Sequence, residues 1–353
     1  MKKVFVFLIV GLGVAGILAS WQIIAFISAP AQKEHSEVIY EIPSGMAFNY
    51  VASDLEKKGI VKNAMMFSIL AKFMRQTTRV KIGEYRLYTD MRPREVLNSI
   101  TSGQSIVYPL TVREGENIYE IRDQLNRMWG GRGDIFFSLS KDQKFIRQLT
   151  GENIPTLEGY LYPETYMLTK YTSMETLIRR MYDFFQDNLA KINASAKISM
   201  PVHEQVILAS IIEKETGAPD ERQIISSVFH NRLKKGMRLQ SDPTIIYGIL
   251  SITNETKKNL TKADIVQPTP YNTYTVRALP IGPIANPGKE ALLAAVSPVD
   301  TEYLYFVSRN DGTHMFSESY EQHAKSVEKY QLDRKMRVGK SWRDLKEKKT
   351  SQK

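Results

Sequence analysis

The chain has 353 residues, 42% of them hydrophobic and 24% charged, and its formal net charge is +10. This length suffices for about two or three domains of roughly 100–200 residues each. The absence of cysteine from the sequence excludes disulfides, thiol catalysis and thiolate metal sites. None of the five histidines has the spacing of a metal-binding motif, and zinc-finger and RNA-binding signatures are absent from the sequence too. No cofactor, no metal and no nucleic-acid partner is therefore expected.

The N-terminal segment VFVFLIVGLGVAGILASWQIIAFIS carries no charge and is long enough to cross about 30 Å of hydrocarbon as a helix. A cleaved signal peptide is the alternative, with Ala-Pro-Ala at 29–31 as its cleavage site, but the apolar run exceeds the usual length of roughly 7–15 residues. Lys2 and Lys3 favour a cytoplasmic N-terminus. We therefore predict a cytoplasmic N-terminus and a single transmembrane anchor over residues 1–30. The protein would then reside in the cell inner membrane, with the bulk of the chain periplasmic.

Two segments repeat one pattern: EIPSGMAFNYVASDLEKKGIV, which starts at Glu41, and TVREGENIYEIRDQLNRM, which starts at Thr111. Each predicts a short strand, a turn at a glycine and an amphipathic helix. Such units resemble LysM-type glycan-binding modules, although small α/β units also recur by chance. KIGEYRLY then predicts a strand, and RPREVLNSITSGQ predicts a short helix. We assign residues 31–104 to a small LysM-like α/β module.

The remaining sequence predicts a larger mixed α+β domain over residues 105–335, followed by a basic tail over residues 336–353, so the fold class is α+β. LEGYLYPETYML predicts strand and turn, because glycine and proline interrupt its aromatic residues. A helix is predicted from Ser173 to about Asn193. Its core-facing stripe is expected to contain Met174, Leu177, Ile178, Met181 and Phe184.

The stretch LASIIEKETG places Glu213 and Glu215 directly after an apolar run. That run predicts a largely buried helix opened by Pro201. On a helical wheel of about 100° per residue, Glu213 projects to the same side as Ala209 and Ser210, where small residues leave room for a groove. Glu215 projects near the middle of the aliphatic side.

Glu213 also lies in the last turn before Gly217, where the helix dipole and apolar surroundings disfavour a charged carboxylate. A protonated carboxyl group is what a general acid needs near neutral pH. The alternative is a solvated helix end, at which Glu213 pairs with Lys214 or Arg222.

Three further stretches carry candidate residues. The stretch ERQIISSVFHNRLKKGMRLQSDPTIIYG predicts a helix that ends at Gly236 and a second helix that starts near Asp242. The alternative role for Asp242 is a structural one, as the N-cap of that second helix. QPTPYNTYTVRALPIGPIANPG is a long loop rich in aromatic and amide side chains, which suits a polar polymer such as a glycan. YLYFVSRNDGTHMFS predicts a β-hairpin with its turn at Asn310-Asp311-Gly312.

Taken in order, several motifs resemble the MltG (YceG-like) endolytic murein transglycosylases. The resemblance extends from the N-terminal anchor to about Tyr330, and rests on LEGYLYPETY, LASIIEKETG, SVFHNRL, MRLQSDPTIIYG, YNTY, LPIGPIANPG and YLYFV. It implies a membrane-anchored enzyme that cleaves peptidoglycan glycan strands internally, between MurNAc and GlcNAc, and leaves 1,6-anhydro-MurNAc ends. Its expected role is to terminate the elongation of nascent strands. Peptidoglycan, the inner membrane and cell-wall synthases are the expected partners.

The catalytic glutamate of that family falls on Glu213 by motif position, and the resemblance implies that this one carboxyl group serves as both acid and base. Capping or packing is the alternative role for every other candidate. The candidates for binding sugar or for orienting Glu213 are Ser210, Glu215, Gln240, Asp242, Tyr271, Asn272 and Glu158.

Two other functions stay open. One is a lysozyme-type murein hydrolase that pairs Glu213 with a second carboxylate, such as Asp242 or Glu158. The other is a non-catalytic peptidoglycan-binding scaffold that recruits cell-wall synthases. Reducing ends in the products would indicate the hydrolase, and binding without release would indicate the scaffold.

Overall fold

The computed structural model describes residues 21–333, which form a mixed α+β fold, about half of it helical. The chain divides into two compact units. The first comprises the described residues up to Pro109 together with Met167–Thr172, and the second comprises Leu110–Tyr166 and the residues from Ser173 onward. Within residues 21–333, no helix is long and apolar enough to cross a membrane. Residues 1–20 of the predicted anchor and the whole basic tail lie outside the described residues.

The first unit combines an antiparallel pair of strands with helices. Its elements are α1 (21–28), β1 (Glu37–Ile42), α2 (Phe48–Lys57), α3 (Ala64–Phe73), β2 (Gly83–Tyr88) and α4 (Pro93–Ser102). In the β1–β2 pair, Tyr40 lies opposite Tyr85, and both rings are buried in the core. Alternate strand residues face that core, because successive side chains of a strand point to opposite sides. Asn63 begins α3 by accepting a hydrogen bond from the Met66 N–H.

The second unit starts within β3 and is mainly helical. Its elements are β3 (Tyr108–Thr111), α5 (Ile118–Met128), α6 (Arg132–Leu139), α7 (Gln143–Thr150), β4 (Thr165–Leu168), α8 (Met174–Asn193), α9 (Val202–Glu215), α10 (Arg222–Lys234), α11 (Asp242–Thr253), α12 (Lys262–Val266), α13 (Lys289–Val296), β5 (Tyr305–Ser308), β6 (His314–Ser317) and α14 (Tyr320–Val327). β3 pairs with β4, and β5 pairs antiparallel with β6.

The predicted strand–turn–helix repeat is confirmed in both copies. Gly45 and Gly115 turn the chain with φ of 80° and 77°, a left-handed conformation that glycine adopts without steric cost. The helices α2 and α5 begin three residues after these turns. In the second copy, the Asn117 side chain caps α5 by accepting hydrogen bonds from the N–H groups of Tyr119 and Glu120.

Other local predictions are also confirmed, with one exception. The helix predicted after Ser173 is α8, which Ser173 caps, and the predicted hairpin is β5–β6. Phe184 is wrongly placed in the core stripe, because its side chain is 45% exposed and the neighbouring Phe185 is buried instead. One residue along a helix rotates the side chain by about 100°, and in α8 this rotation turns Phe185 toward the core and Phe184 toward the surface.

Candidate active site

Helix α9 carries the two candidate glutamates at its C-terminal end. Every residue from Gln205 to Ile212 is buried, largely because α13 packs along the helix. The buried stretch ends at Ile212, so Glu213, Lys214 and Glu215 project in three different directions where the helix reaches the surface. Thr216 then takes an extended conformation and ends the helix.

Glu213 is held in an enclosed, polar position. Its Oε2 accepts a hydrogen bond of 3.0 Å from the N–H of Gly288, and Nη2 of Arg222 lies 3.4 Å from its Oε1. The Glu213 side chain is 6% exposed and that of Arg222 is 11% exposed. The pair with Arg222, which the alternative interpretation predicted, is therefore present. The solvated helix end, which the same interpretation predicted, is wrong because the pair is almost fully enclosed.

A third charged group, Glu114, completes this cluster. Glu114 is an exposed residue in the turn before α5, but its carboxyl folds back against Gly288. Partial burial of that carboxyl raises its pKa, the charge of Glu213 raises the pKa further, and the charge of Arg222 lowers it. Glu114, Glu213 and Arg222 thus lie close enough for their charges to interact. Sequence reasoning missed Glu114, and the only signal for it was its place beside the turn glycine of the second repeat.

Glu215 occupies different surroundings on the other side of Lys214. Its Oε1 accepts a hydrogen bond from the Ser241 hydroxyl. Burial of the carboxyl raises the pKa of Glu215 to about 7, and the charge of Asp242 adds to the effect. The Ser241 hydrogen bond and the charge of Arg232 act in the opposite direction.

Glu158 is fully buried beneath the start of α5. Its carboxyl accepts hydrogen bonds from the Ile118 N–H at 3.1 Å, the Tyr247 hydroxyl at 2.8 Å and the Asn286 side-chain amide at 3.1 Å. Burial raises the pKa of Glu158 to about 8, although the bonds from Ile118 and Tyr247 lower it. All three donors belong to the protein, so the Glu158 contacts agree with the structural alternative for this residue.

Asn286 joins the segments that surround the site. Its Oδ1 accepts hydrogen bonds from the N–H groups of Gly159 and Leu161, and its Nδ2 donates to the Glu116 carbonyl as well as to Glu158. Its own backbone exchanges two hydrogen bonds with residues 115–116. One fully buried side chain therefore fixes the turn before α5 against the segment that carries Glu158.

The expected groove beside Ala209 and Ser210 is wrong. Both residues are fully buried. The Ser210 hydroxyl donates to the Ile207 carbonyl at 2.7 Å and accepts from the Ile284 N–H at 3.0 Å. The loop around Ile284 therefore occupies the space that the small side chains leave.

The four remaining candidates lie at the start of α11 and on the loop that follows α12. Gln240 is exposed with a φ of 51°, and Asp242 accepts a hydrogen bond of 2.7 Å from the Tyr274 hydroxyl. Asp242 is the first residue of α11 and not its N-cap, a position that Ser241 takes. Tyr271 is buried edge-on against Tyr247, with ring centroids 4.8 Å apart.

Asn272 is fully enclosed within its own loop. Its Nδ2 donates to the carbonyls of Ile265 and Gln267, and its Oδ1 accepts from the Tyr274 N–H. These bonds use both N–H donors of the amide and one acceptor site of its oxygen. They are the contacts of a residue that shapes the loop, as in the packing alternative.

A cleft of about 900 Å³ lies in the second unit, and neither Glu213 nor Glu215 is among its lining residues. Lys214, the residue between the two glutamates, lies on the wall of this cleft. Its Nζ donates a hydrogen bond of 3.0 Å to the Gly115 carbonyl. The other lining residues are Asn117, Glu120, Pro243, Ile246, Tyr247, Leu250, Thr256, Lys257, Lys258 and Ile284. This mixture of lysines, amide and apolar side chains can contact both the hydroxyl groups and the apolar faces of a sugar chain. Within residues 21–333, no group of three or more His, Asp or Glu side chains is arranged to hold a metal ion.

Comparison with known proteins identifies the family. The model of the YceG-like family matches residues 40–329. The chain belongs to the YceG-like family. A YceG-like protein from Listeria monocytogenes has a crystal structure that is similar to this one with a TM-score of 0.57, at 32% identity over 83% of this chain and 100% of that chain.

Two relatives of this chain are named endolytic murein transglycosylases. An endolytic murein transglycosylase from Bacillus subtilis is 31% identical over 319 residues, which cover 85% of this chain and 87% of that protein. An endolytic murein transglycosylase from Streptococcus pneumoniae is 28% identical over 318 residues, which cover 81% of this chain. The match covers 57% of the pneumococcal protein, so this chain corresponds to little more than half of its length.

Proposed function

We propose that this YceG-like protein is a lytic transglycosylase that cleaves the glycan strands of peptidoglycan internally, between MurNAc and GlcNAc. The observation that carries the proposal is the match to an endolytic murein transglycosylase over 85% of this chain. The enclosed Glu213 at the end of a buried helix supports it, because an acid catalyst needs a carboxyl group fixed in place.

One carboxyl group is enough for this reaction. Protonated Glu213 donates its proton to the glycosidic oxygen as the bond from that oxygen to C1 of MurNAc breaks, through an oxocarbenium-like state. The Glu213 carboxylate then takes the proton of the C6 hydroxyl, whose oxygen bonds to C1 of the same sugar. The products are a new GlcNAc end and a 1,6-anhydro-MurNAc end. No water is consumed, so no second carboxylate is needed to activate one, unlike in most glycoside hydrolases.

The neighbours of Glu213 have two tasks in this mechanism. The Gly288 N–H fixes the direction of the carboxyl, and Arg222 stabilises the carboxylate that forms after proton transfer. The carboxyl of Glu114 also lies beside Gly288, where the charge of Glu213 raises the pKa of Glu114.

The setting of the enzyme forms part of the proposal. Residues 1–30 anchor the chain in the inner membrane with the N-terminus in the cytoplasm, and the bulk of the chain that follows lies in the periplasm. The first unit acts as a LysM-like glycan-binding module. Cleavage near cell-wall synthases then terminates the elongation of nascent strands.

Mass spectrometry of the muropeptides released from purified sacculi tests this function. The full-length protein is expected to release anhydro-MurNAc ends, and Glu213→Gln is expected to fold normally and release none. Glu215→Gln is the matched control, because it removes one carboxylate from the same helix turn. Loss of activity in Glu215→Gln but not in Glu213→Gln would transfer the catalytic role to Glu215. Reducing ends would indicate a hydrolase, and binding without release would indicate a scaffold.

A further inference from the structure

Helix α3 of the first unit exposes an apolar stripe. Met65, Ile69 and Phe73 are 73%, 50% and 87% exposed, and their spacing of four residues places them on one face of the helix. The opposite face, which includes Phe67 and Ala71, is buried in the core of the unit. A folded soluble surface rarely aligns three large apolar side chains in this way, so the stripe indicates an apolar partner.

The described part of the N-terminal segment lies beside this stripe. Phe26 of α1 is 7% exposed and belongs to the core of the first unit, so α1 is packed onto the unit and is not a free linker. A groove of about 220 Å³ runs between α1 and α3, and all seven of its lining residues are apolar. Trp21 and Ile24 of α1 are 68% and 62% exposed. The apolar surface therefore includes both helices.

The sequence segment that contains α3 carries charges of one sign only. From Lys62 to Lys81 the chain carries five cationic side chains and no acidic one. The cations are Lys62, Lys72, Arg75, Arg79 and Lys81. Helix α2, by contrast, carries Asp54 and Glu56. An apolar stripe bordered by cations is the pattern of a helix that lies in the interface of an anionic bilayer.

The geometry points to a second membrane contact: the α3 stripe and the α1–α3 groove are seated in the outer face of the same bilayer that holds the anchor. Phe73 and Ile69 enter the boundary between headgroups and acyl chains, a lipid tail fills the groove, and the cations contact lipid phosphates. This inference rests on the proposed anchor. Its consequence is that the first unit lies on the membrane and does not hang from a flexible tether.

Site-specific fluorescence in vesicles tests the contact. Because the chain has no cysteine, Phe73→Cys provides one labelling site for an environment-sensitive dye. Tyr50→Cys is the matched control, because Tyr50 is an aromatic side chain of the same unit, is 73% exposed and lies on the acidic helix α2. The full-length protein is placed in vesicles of phosphatidylethanolamine and phosphatidylglycerol, and flotation with the vesicles is measured first.

The expected result is a blue-shifted emission at Phe73, strong quenching by lipids that carry a quencher near the headgroup, and iodide quenching several-fold weaker than at Tyr50. Flotation together with equal iodide quenching at both sites would overturn the contact and leave the anchor standing. A blue shift without lipid quenching would mean that a protein, such as a second copy of the chain, covers the stripe, and would also overturn it. Failure to float would overturn both the anchor and the contact.

Discussion

The guanidinium of Arg222 lies 3.4 Å from the carboxyl of Glu213, with both side chains nearly enclosed by protein. The two residues lie on different helices, α9 and α10, which are connected by residues 216–221. An enclosed ion pair fixes the orientation of both groups, whereas an exposed ion pair with the same separation contributes little to stability. The orientation of Glu213 thus depends on the connection between these two helices.

Replacing Arg222 should therefore affect activity more than folding. In Arg222→Gln we expect turnover of glycan strands to fall by roughly tenfold or more, because the Gly288 N–H alone then directs the Glu213 carboxyl. Arg222→Lys should fall between this variant and the wild type, since it keeps the charge but loses the planar geometry. The rate of release of anhydro-muropeptides measures the effect. Wild-type turnover in Arg222→Gln would show that the ion pair has no role in positioning.

The stability of the second unit should depend on pH through Glu158. Its pKa in the folded protein is about 8, above the ordinary value of 4.5, so the folded state binds more protons than the unfolded state between these values. The free energy of unfolding therefore falls as pH rises from about 5 to 8. Glu158→Gln keeps the shape of the side chain but cannot ionise. As pH rises over this range, the variant should therefore become more stable relative to the wild type. The gain is at most about 1.4 kcal/mol for each unit by which the pKa values of the folded and unfolded states differ.

Urea unfolding of both proteins at pH 5 and pH 8 measures this difference. Glu175→Gln is the control, because Glu175 forms a surface pair with Arg179 and its loss also removes one negative charge. A stability difference between Glu158→Gln and the wild type that is the same at both pH values would contradict the assignment.

Ser241 should stabilise the ionised form of Glu215. Its hydroxyl donates to the Glu215 carboxyl and lowers a pKa that burial has raised to about 7. Ser241→Ala should therefore cost more stability at pH 8 than at pH 5, by roughly 1–2 kcal/mol. At pH 8 Glu215 is ionised and the substitution removes a hydrogen bond to a charged group, whereas at pH 5 Glu215 is protonated. Ser251→Ala serves as the control, since the Ser251 hydroxyl donates to the Gly248 carbonyl within α11 and its loss should cost the same at both pH values.

Gly133 should tolerate no side chain. A Cβ at this position would lie 2.0 Å from the backbone carbonyl oxygen of Arg122, where helices α5 and α6 pack closely. We expect Gly133→Ala to destabilise the second unit by roughly 1–3 kcal/mol in thermal or urea unfolding. Gly130→Ala, three residues earlier, has open space around its Cβ and should be nearly neutral. Equal stability of the two variants would mean that α6 can move away from α5 without cost.

Local structure could be predicted from the sequence where local chemistry determines it. The turns at Gly45 and Gly115, the helix after Ser173 and the hairpin around Asn310 follow from glycine conformation, capping and alternation within a few residues. The error at Phe184 also has a local cause, since periodicity alone does not choose between adjacent aromatic residues.

The surroundings of the candidate site could not be predicted in the same way. Helical geometry correctly separates Glu213 from Glu215, but the partners of Glu213 include Gly288, which is 75 residues away in sequence. The loop around Ile284, which fills the expected groove, lies 74 residues from Ser210. Contacts at such separations arise from tertiary packing and leave no periodic pattern in a single sequence.

The hydrogen bonds of Asn286 have a consequence for how the chain folds during its synthesis. They join residues 116, 158, 159 and 161 to a side chain that lies 125 to 170 positions later in the chain. Contacts between such distant positions form late in folding, because closing a long loop costs entropy before any bond is gained. The segments around the site cannot be locked together until residue 286 has left the ribosome. A nascent or truncated chain without that residue therefore lacks the hydrogen bonds that hold the turn before α5 against the segment of Glu158.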